Sequence, residues 1–247
     1  MHSEAQETQT AMWQASAQAW DDFVEQDLNR THLLDHVMLR LGAPYAGMRV
    51  LDVGCGEGRW CRRLAGEGAI TVGLDPAAEF LELARARHPE GTYVEGVAEA
   101  LPFPDEAFDL VVSYVSLVDI PDAEAGLTEM VRVLRPGGHL LISNLNAWIT
   151  TREKAWYTDA DGKRLHVAVE DYFDPKAIAG SWRGISVMQY HRPFEMVLQP
   201  LLRAGLQLLH FEEPRPSAET VAAHPEMDEE YRVPFFYAMK WRKPEGG

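Results

Sequence analysis

The stretch VLDVGCGEG, which occupies residues 50–58, decides the fold of this chain. Its first residues are mostly apolar, as in a buried β-strand, and Gly54, Gly56 and Gly58 follow. Because glycine has no Cβ, such a loop can turn tightly and let a ligand approach its backbone. Residues 59–67 then have a helical pattern, and a helix N-terminus presents free N–H groups and a partial positive charge. The stretch therefore predicts a strand, a turn and a helix that form a nucleotide-type cofactor site.

Strand and helix patterns alternate along most of the chain. Strands are predicted at residues 49–53, 70–74, 92–95, 108–114 and 139–143, with helices at 59–65, 77–87 and 122–134. A helix at 194–204 and strands at 206–211 and 233–241 continue the pattern. This alternation predicts right-handed βαβ units, and therefore an α/β fold with a doubly wound, mostly parallel sheet that is covered on both faces.

Three segments depart from this alternation. Residues 4–41 have an amphipathic helical pattern, and residues 212–232 are rich in proline and acids, as in a surface connection. Residues 144–192 are rich in aromatic side chains, and a structureless loop of that length would be unusual. We therefore interpret the last segment as an inserted lid or small subdomain after the fifth strand, with strands at residues 165–169 and 185–190.

These patterns divide the chain into four parts. Residues 1–45 are predicted to form an N-terminal helical lid, and residues 46–143 the cofactor-binding half of the α/β domain. Residues 144–192 would form the inserted lid on the substrate side, and residues 193–247 would complete the α/β domain.

Composition and charge narrow the possible functions. A chain of 247 residues that is 46% hydrophobic suits a globular protein with a large core. Its net charge of −15 argues against binding along a nucleic-acid backbone. No apolar run approaches the ~20 residues that a membrane span needs, and no signal-peptide pattern is found. The cytoplasm is the expected location, with neither a nucleic acid nor a membrane as partner.

Metal binding is not predicted. Cys55 and Cys61 lack the spacing of a zinc site, and they are typical of small packed residues. His32 and His36 have the i, i+4 spacing of one helix face, but no third ligand accompanies them.

The glycine loop favours a cationic cofactor over a dinucleotide. A dinucleotide site requires Gly-x-Gly-x-x-Gly, but here Gly58 comes one residue early and Arg59 stands in its place. Asp52 directly precedes the loop, where it would repel a pyrophosphate but attract a sulfonium or an amino group. Asp75 ends the next strand, where a carboxylate can accept from two ribose hydroxyls. A dehydrogenase is therefore a weaker alternative.

Four motifs in order resemble those of the class I S-adenosylmethionine-dependent methyltransferases. They are LDVGCGEG at residues 51–58, GLDP at 73–76, AEALPF at 98–103 and VRVLRPGG at 131–138, and the match spans roughly residues 48–143. The resemblance implies a Rossmann-like, seven-stranded sheet whose last strand is antiparallel. It also implies S-adenosyl-L-methionine as the cofactor.

The resemblance assigns roles to individual residues. Asp52 and the backbone of Gly54, Cys55 and Gly56 would hold the methionine part of the cofactor, and Asp75 with Pro76 the ribose. Ala98 and Glu99 would lie near the adenine, and Tyr114 and Val115 would line the pocket after the fourth strand. Val97 stands where many relatives have an acid that accepts from the adenine amino group.

The N-terminal helix has two possible roles. Trp13 and Trp20 could simply pack in the core, or the helix could close over the cofactor with Arg30 reaching its carboxylate.

We expect metal-independent methyl transfer to an oxygen or nitrogen atom of a small molecule, by a monomer or a homodimer. Such a displacement needs chiefly an aligned nucleophile and a dry site. His191 is the first candidate for a general base and Tyr114 for a pocket wall with a catalytic role. A non-catalytic cofactor-binding or scaffolding protein of the same fold is the alternative. Candidate substrate contacts are Trp13, Tyr157, His166, Trp182, Tyr190 and His191.

Overall fold

The computed structural model of the protein describes residues 3–245. Its strands are β1 (Arg49–Val53), β2 (Ile70–Asp75), β3 (Thr92–Glu95), β4 (Phe108–Tyr114), β5 (Leu134–Leu145), β6 (Trp156–Thr158), β7 (Arg164–Val167), β8 (Lys176–Trp182), β9 (Ile185–His191), β10 (Gln207–Glu212) and β11 (Phe236–Arg242). Its helices are α1 (Glu4–Val24), α2 (Asp35–Gly42), α3 (Arg59–Gly66), α4 (Ala78–Arg87), α5 (Ala123–Val133), α6 (Phe194–Arg203), α7 (Ala218–Ala223) and α8 (Asp228–Arg232). A π-helical turn, Asn29–Leu34, leads into α2.

Seven of the strands form one sheet in the order β10-β11-β5-β4-β1-β2-β3. Strands β1 to β5 pair in parallel, whereas β11 runs antiparallel to both of its neighbours, β5 and β10. The predicted seven-stranded α/β fold with an antiparallel last strand is therefore confirmed. None of the helices in residues 3–245 is both long and apolar enough to cross a membrane.

The central strand β1 shows why the sheet needs cover on both faces. Leu51 is fully buried and lies in register with Val72 of β2 and Val111 of β4. Leu51 belongs to the core on the side of α5 and α6, and Val50 to the core on the side of α2 and α3. A strand whose side chains are buried on both sides reads as a continuous apolar run, which explains why its sequence pattern was unambiguous.

The N-terminal region is less continuous than the sequence pattern suggests. We predicted one helical segment over residues 4–41, but α1 ends at Val24 and the chain turns before the π-helical segment and α2. Glu25, just after α1, accepts a hydrogen bond from Arg59 of α3 at 3.1 Å. Such a long-range contact leaves no local signal such as a glycine or a proline.

The segment after β5 folds as two hairpins. Strand β6 pairs with β7, and β8 pairs with β9, both antiparallel. The sequence patterns located β7 and β9 to within a few residues but missed β6 and β8. Strand β8 alternates between exposed and half-buried positions and includes two alanines and a glycine, which carry little hydrophobic signal.

Helix α1 packs on the second hairpin through side chains that pair with its backbone. The Gln9 amide donates to the Met188 carbonyl at 2.9 Å, and Gln9 Oε1 accepts from the Met188 N–H at 3.1 Å. Ser16 makes the same pair of contacts with the backbone of Ser186. We call α1 together with the β8–β9 hairpin the roof; of the two, α1 lines the cavity described below.

The segment between β10 and β11 differs from the predicted surface connection. It contains α7 and α8, and Met227 is only 1% exposed in the core below α2. Glu230 is also buried, whereas a surface connection would leave it exposed to solvent. The polar composition of this segment gave no indication that Met227 is buried in the core.

A buried ion pair joins the N-terminal region to the sheet. Both guanidinium NH groups of Arg59 donate to the Asp35 carboxylate, at 3.0 and 2.6 Å, and the Tyr114 hydroxyl donates to it at 2.8 Å. Burial alone would raise the pKa of Asp35, but these hydrogen bonds and the Arg59 charge hold it below its usual value. The network fixes α2 and α3 against the end of β4.

We expect Asp35→Ala to lower the free energy of unfolding by about 3 kcal/mol in urea titrations, because it leaves a buried guanidinium with only the half-exposed Glu25 as its anion. The control is Asp105→Ala, which removes an exposed partner of Arg132 and should cost at most about 1 kcal/mol. Equal costs for the two variants would contradict a structural role for the buried pair.

Candidate active site

A cavity opens at the carboxyl ends of β1, β2 and β4, beneath the roof. It holds about 990 Å³ of empty space, its open mouth included. Thirteen of the candidate residues line it: Trp13, Trp20, Arg30, Asp52, Gly54, Cys55, Gly56, Asp75, Pro76, Ala98, Glu99, Tyr114 and Val115. The other lining residues, which are not among the candidate site residues predicted from the sequence, are Gln6, Gln9, Thr10, Val24, Val53, Glu57, Arg59, Trp60, Leu74, Phe80, Val97, Ser116, Asp119, Ile120 and Pro121.

The glycine loop forms the floor of the cavity. All three of its glycines have positive φ, and a Cβ on Gly54 would come within 2.5 Å of the Ser116 Cβ. A Cβ on Gly58 would lie 2.8 Å from the Tyr93 ring. A side chain at position 54 or 58 would be both strained and obstructed, so these two positions require glycine.

Asp75 is fixed by the backbone of the loop. Its Oδ2 accepts from the Gly56 N–H at 2.9 Å and its Oδ1 from the Ala77 N–H at 2.9 Å. Burial raises the pKa of Asp75 to about 6, although these two amides favour the charged form. A carboxylate has about four lone-pair sites, so Asp75 can accept from two more donors, such as the hydroxyls of a diol.

Asp52 lacks a full set of partners. It is 2% exposed; its Oδ2 accepts from the Cys61 thiol at 3.6 Å, and its buried Oδ1 has no hydrogen-bond partner within the described residues. Burial raises the pKa of Asp52 to about 7, opposed by the Cys61 hydrogen bond and the charge of Arg30. A buried carboxylate of this kind gains from a cationic ligand.

Arg30 lies across the cavity between two aromatic rings. The centre of its guanidinium lies 4.9 Å from the Trp20 ring centroid and 4.8 Å from that of Tyr114. It approaches Asp27 at 3.5 Å, and its buried Nε has no hydrogen-bond partner in residues 3–245. The stacked guanidinium is therefore held in place with donors left for an anion.

Two features shape the wall after β4. Val115 has φ of +56°, which is a strained conformation for a β-branched residue, and its N–H donates to the Ser143 carbonyl at 2.7 Å. Tyr114 donates its hydroxyl to Asp35, and burial raises its pKa well above the usual value. Tyr114 is therefore a neutral phenol that supports the Arg30 guanidinium.

The far end of the cavity is mostly apolar. Val97 is 7% exposed and lines the wall beside Ala98. Glu99 also lines it, but its Oε1 accepts from the Asp122 N–H at 3.2 Å. One carboxylate oxygen of Glu99 is thus committed to the start of α5.

One face of α1 closes the cavity from above. The helix contributes Gln6, Gln9, Thr10, Trp13 and Trp20, and pairs of these residues three, four and seven positions apart place them on one helix face. The Trp13 ring packs against Trp20 at 5.6 Å and against Phe80 of α4 at 5.8 Å between centroids. The spacing was the sequence signal that would have identified the polar members of this face.

Five of the candidate substrate contacts lie away from the cavity lining. Tyr157 and His166 stack on each other on the exposed β6–β7 hairpin, with centroids 5.2 Å apart. Trp182 ends β8, and Tyr190 lines a second, smaller cavity. The fifth, His191, is described next.

His191 is enclosed by its own protein partners. It is 1% exposed; its Nδ1 lies 2.9 Å from the Thr150 hydroxyl oxygen and its Nε2 lies 2.9 Å from the Tyr172 carbonyl oxygen. This geometry gives no support to the prediction that His191 is a general base.

No three His, Cys, Asp or Glu side chains come together in a metal-binding arrangement within residues 3–245. Cys55 and Cys61 are both free and buried. Burial raises the pKa of the Cys55 thiol well above its usual value, as expected for a packed thiol rather than a nucleophile.

Comparisons with known proteins agree with this geometry. The family model described as "Methyltransferase domain" matches residues 51–142. Malonyl-[acyl-carrier protein] O-methyltransferase of Erwinia billingiae is 38% identical over 73% of this chain and 73% of its own. The next curated relatives are matched over about half of their own length.

Two solved structures are also similar. An S-adenosylmethionine-dependent methyltransferase of Mesorhizobium loti is 30% identical, with a TM-score of 0.74 over 84% of this chain and 95% of its own. One from Listeria monocytogenes is 28% identical, with a TM-score of 0.77 over 85% and 96%. The cofactor expected from the sequence, S-adenosylmethionine, is thereby confirmed.

We expect the affinity for S-adenosylmethionine, measured by calorimetry, to fall as the pH decreases from about 8 to about 6.5. Asp52, whose pKa burial raises to about 7, takes up a proton in this range and loses the charge that attracts a cation. Asp52→Asn should bind more weakly at the higher pH and show a flatter profile. A wild-type affinity that is constant over this range would contradict the assignment.

The ligand-free protein provides the control for that substitution. A pKa raised in the folded state means that stability falls as the pH rises above the unfolded value towards about 7. Asp52→Asn should therefore raise the Tm at about pH 8, so that its weaker binding cannot result from unfolding.

Proposed function

This chain belongs to the class I S-adenosylmethionine-dependent methyltransferases, and we propose that it methylates an oxygen or nitrogen atom of a small molecule without a metal ion. The observation that carries the proposal is a covered cavity in which a buried acid, Asp52, and a buried base, Arg30, each have a side-chain atom without a hydrogen-bond partner in residues 3–245. An α-amino acid group carries one charge of each sign. The methionine part of the cofactor therefore fits the pair.

The remaining lining residues fit the rest of the cofactor. Asp75, fixed by two amides, is free to accept from the ribose diol, with Pro76 beside it. Val97 and Ala98 offer an apolar surface for the adenine. The backbone of the glycine loop lies between these parts, where only glycine allows close approach.

The protein's part in the reaction is to orient the reactants and to exclude water. When bound, the cofactor supplies a methyl group that its sulfonium already makes electrophilic. Trp13 and Trp20 on α1, together with Phe80 on α4, cover the cavity with aromatic surface. Holding two reactants in line in a dry cavity can provide much of the rate enhancement of a displacement.

A small acceptor suits the molecule better than a nucleic acid does. The net charge of −15 opposes binding to a phosphate backbone, and the roof leaves a cavity rather than a groove. We propose a cytoplasmic enzyme that acts as a monomer or a homodimer, since the chemistry requires no residue from a second chain.

We expect the protein, given methyl-labelled S-adenosylmethionine and a metabolite extract, to place the label on an oxygen or nitrogen atom in the low-molecular-weight fraction. Added EDTA should leave the rate unchanged, because the proposed chemistry relies on positioning alone. Mass spectrometry identifies the product, and Asp52→Asn serves as the matched variant with weak cofactor binding. Cofactor binding without any labelled product would instead favour a non-catalytic binding protein.

We propose that His191 holds the insertion together rather than moving a proton. His191→Ala should lower the Tm, because it removes the hydrogen bonds that His191 makes with the Thr150 hydroxyl and the Tyr172 carbonyl. The pH profile of label transfer should keep its shape. Loss of one limb of that profile in the variant would restore His191 as a general base.

A further inference from the structure

One buried polar group in the cavity, Asp119, has been given no role in the site described so far. Asp119 ends the 3₁₀ turn Leu117–Asp119 that follows β4, and it lines the cavity with Ile120 and Pro121. Its Oδ1 is buried and has no hydrogen-bond partner among the described residues. Leaving a carboxyl oxygen buried in this way is costly, so its presence calls for a ligand that donates to it.

The position of this carboxyl is fixed by its surroundings. Leu117 and Val118 of the same turn are 0% and 3% exposed, and the Val118 N–H donates to Asn144 Oδ1 at 3.1 Å. Arg192 clamps the turn by donating to the carbonyls of Leu117, Ile120 and Pro121. Its guanidinium is thus used on backbone carbonyls and does not pair with Asp119.

The charges around Asp119 indicate its place along the cofactor. Burial raises its pKa well above the usual value, Asp75 raises it further, and Arg30 and Arg192 lower it. Asp75 marks the ribose end of the proposed cofactor site and Arg30 the methionine-carboxylate end. The carboxyl of Asp119 is therefore within electrostatic range of both ends of the proposed cofactor site.

We propose that Asp119 is the residue that receives the methyl acceptor, by accepting a hydrogen bond at Oδ1 from the acceptor's O–H or N–H. The inference rests on the proposed function and narrows it to acceptors that carry a proton on the nucleophilic atom, such as hydroxyl compounds and amines. The acceptor's lone pair forms the bond to the methyl carbon, and the carbon–sulfur pair remains on sulfur. The released proton goes to the Asp119 carboxylate.

The positive charge of the bound cofactor favours this role. A sulfonium beside Asp119 acts in the same direction as Arg30 and Arg192, because each stabilises the carboxylate form. The side chain is thus most able to accept a proton when the methyl donor is in place.

The test uses sinefungin, which carries an amine where S-adenosylmethionine carries its methyl group, and S-adenosylhomocysteine, which carries nothing there. In calorimetry, Asp119→Asn should weaken sinefungin by about tenfold or more and leave S-adenosylhomocysteine nearly unchanged. The control is Asp122→Asn, which makes the same change of charge three residues along, at the exposed N-cap of α5. Equal effects on both ligands, or none on either, would overturn the proposal.

Turnover provides the second measurement. With the labelled donor and the metabolite extract, Asp119→Asn should reduce kcat by about a hundredfold with little change in the KM for the cofactor. Asp119→Ser, with its Tm recorded, replaces the first variant if that one does not fold. If either variant transfers the label as fast as the wild type does, the role of Asp119 is overturned. No wild-type labelling, with the sinefungin result intact, would instead count against the proposed function.

Discussion

A buried carboxylate must find a partner or lose its charge, and this constraint organises the ligand-binding end of the protein. Asp35 meets it with Arg59 and the Tyr114 hydroxyl, and the resulting network fixes two helices against the sheet. Asp75 meets it with two backbone amides of neighbouring turns. An aspartate whose hydrogen-bonding capacity is filled by protein atoms has a structural role. An aspartate that protein atoms satisfy only in part can also bind a ligand.

Asp52 and Asp119 complete the contrast. Each has a buried oxygen without a hydrogen-bond partner in the part of the chain that the structure describes, and both line one cavity. Burial raises the pKa of each carboxyl, because the ligand-free cavity solvates the charged form poorly. The cavity therefore lacks positive charge beside its two buried carboxyls. A sulfonium cofactor supplies such a charge, whereas a pyrophosphate would add negative charge.

The sequence was sufficient where local pattern and tertiary structure agree. The apolar run of β1, its glycine loop and the acid that ends β2 are short-range features, and the structure brings them together at the edge where parallel strands end. The roof could not be predicted in this way. Its contacts join Gln9 to Met188 across most of the chain, and no pattern within a single segment encodes such a pairing.

Residue type alone was misleading in two places, in opposite directions. His191 suggested a base because histidine titrates near neutral pH, yet its two nitrogens are already used by Thr150 and Tyr172. Asp119 suggested nothing, because a single acid in a turn is usually solvated, yet the turn carries it into the cavity. The two residues differ in whether their buried polar atoms have hydrogen-bond partners: those of His191 do, and Oδ1 of Asp119 does not. Burial and hydrogen-bond partners both depend on the complete fold.

Electrostatics also connects the two halves of the proposed reaction. The cofactor's positive charge would stabilise the carboxylate of Asp119 as it stabilises that of Asp52, because both lie in the same poorly solvated cavity. An acceptor that donates a hydrogen bond would thus meet a stronger acceptor group after the methyl donor has bound than before. Binding of the donor and recognition of the acceptor would then favour each other through a shared field, with no movement of the sheet required.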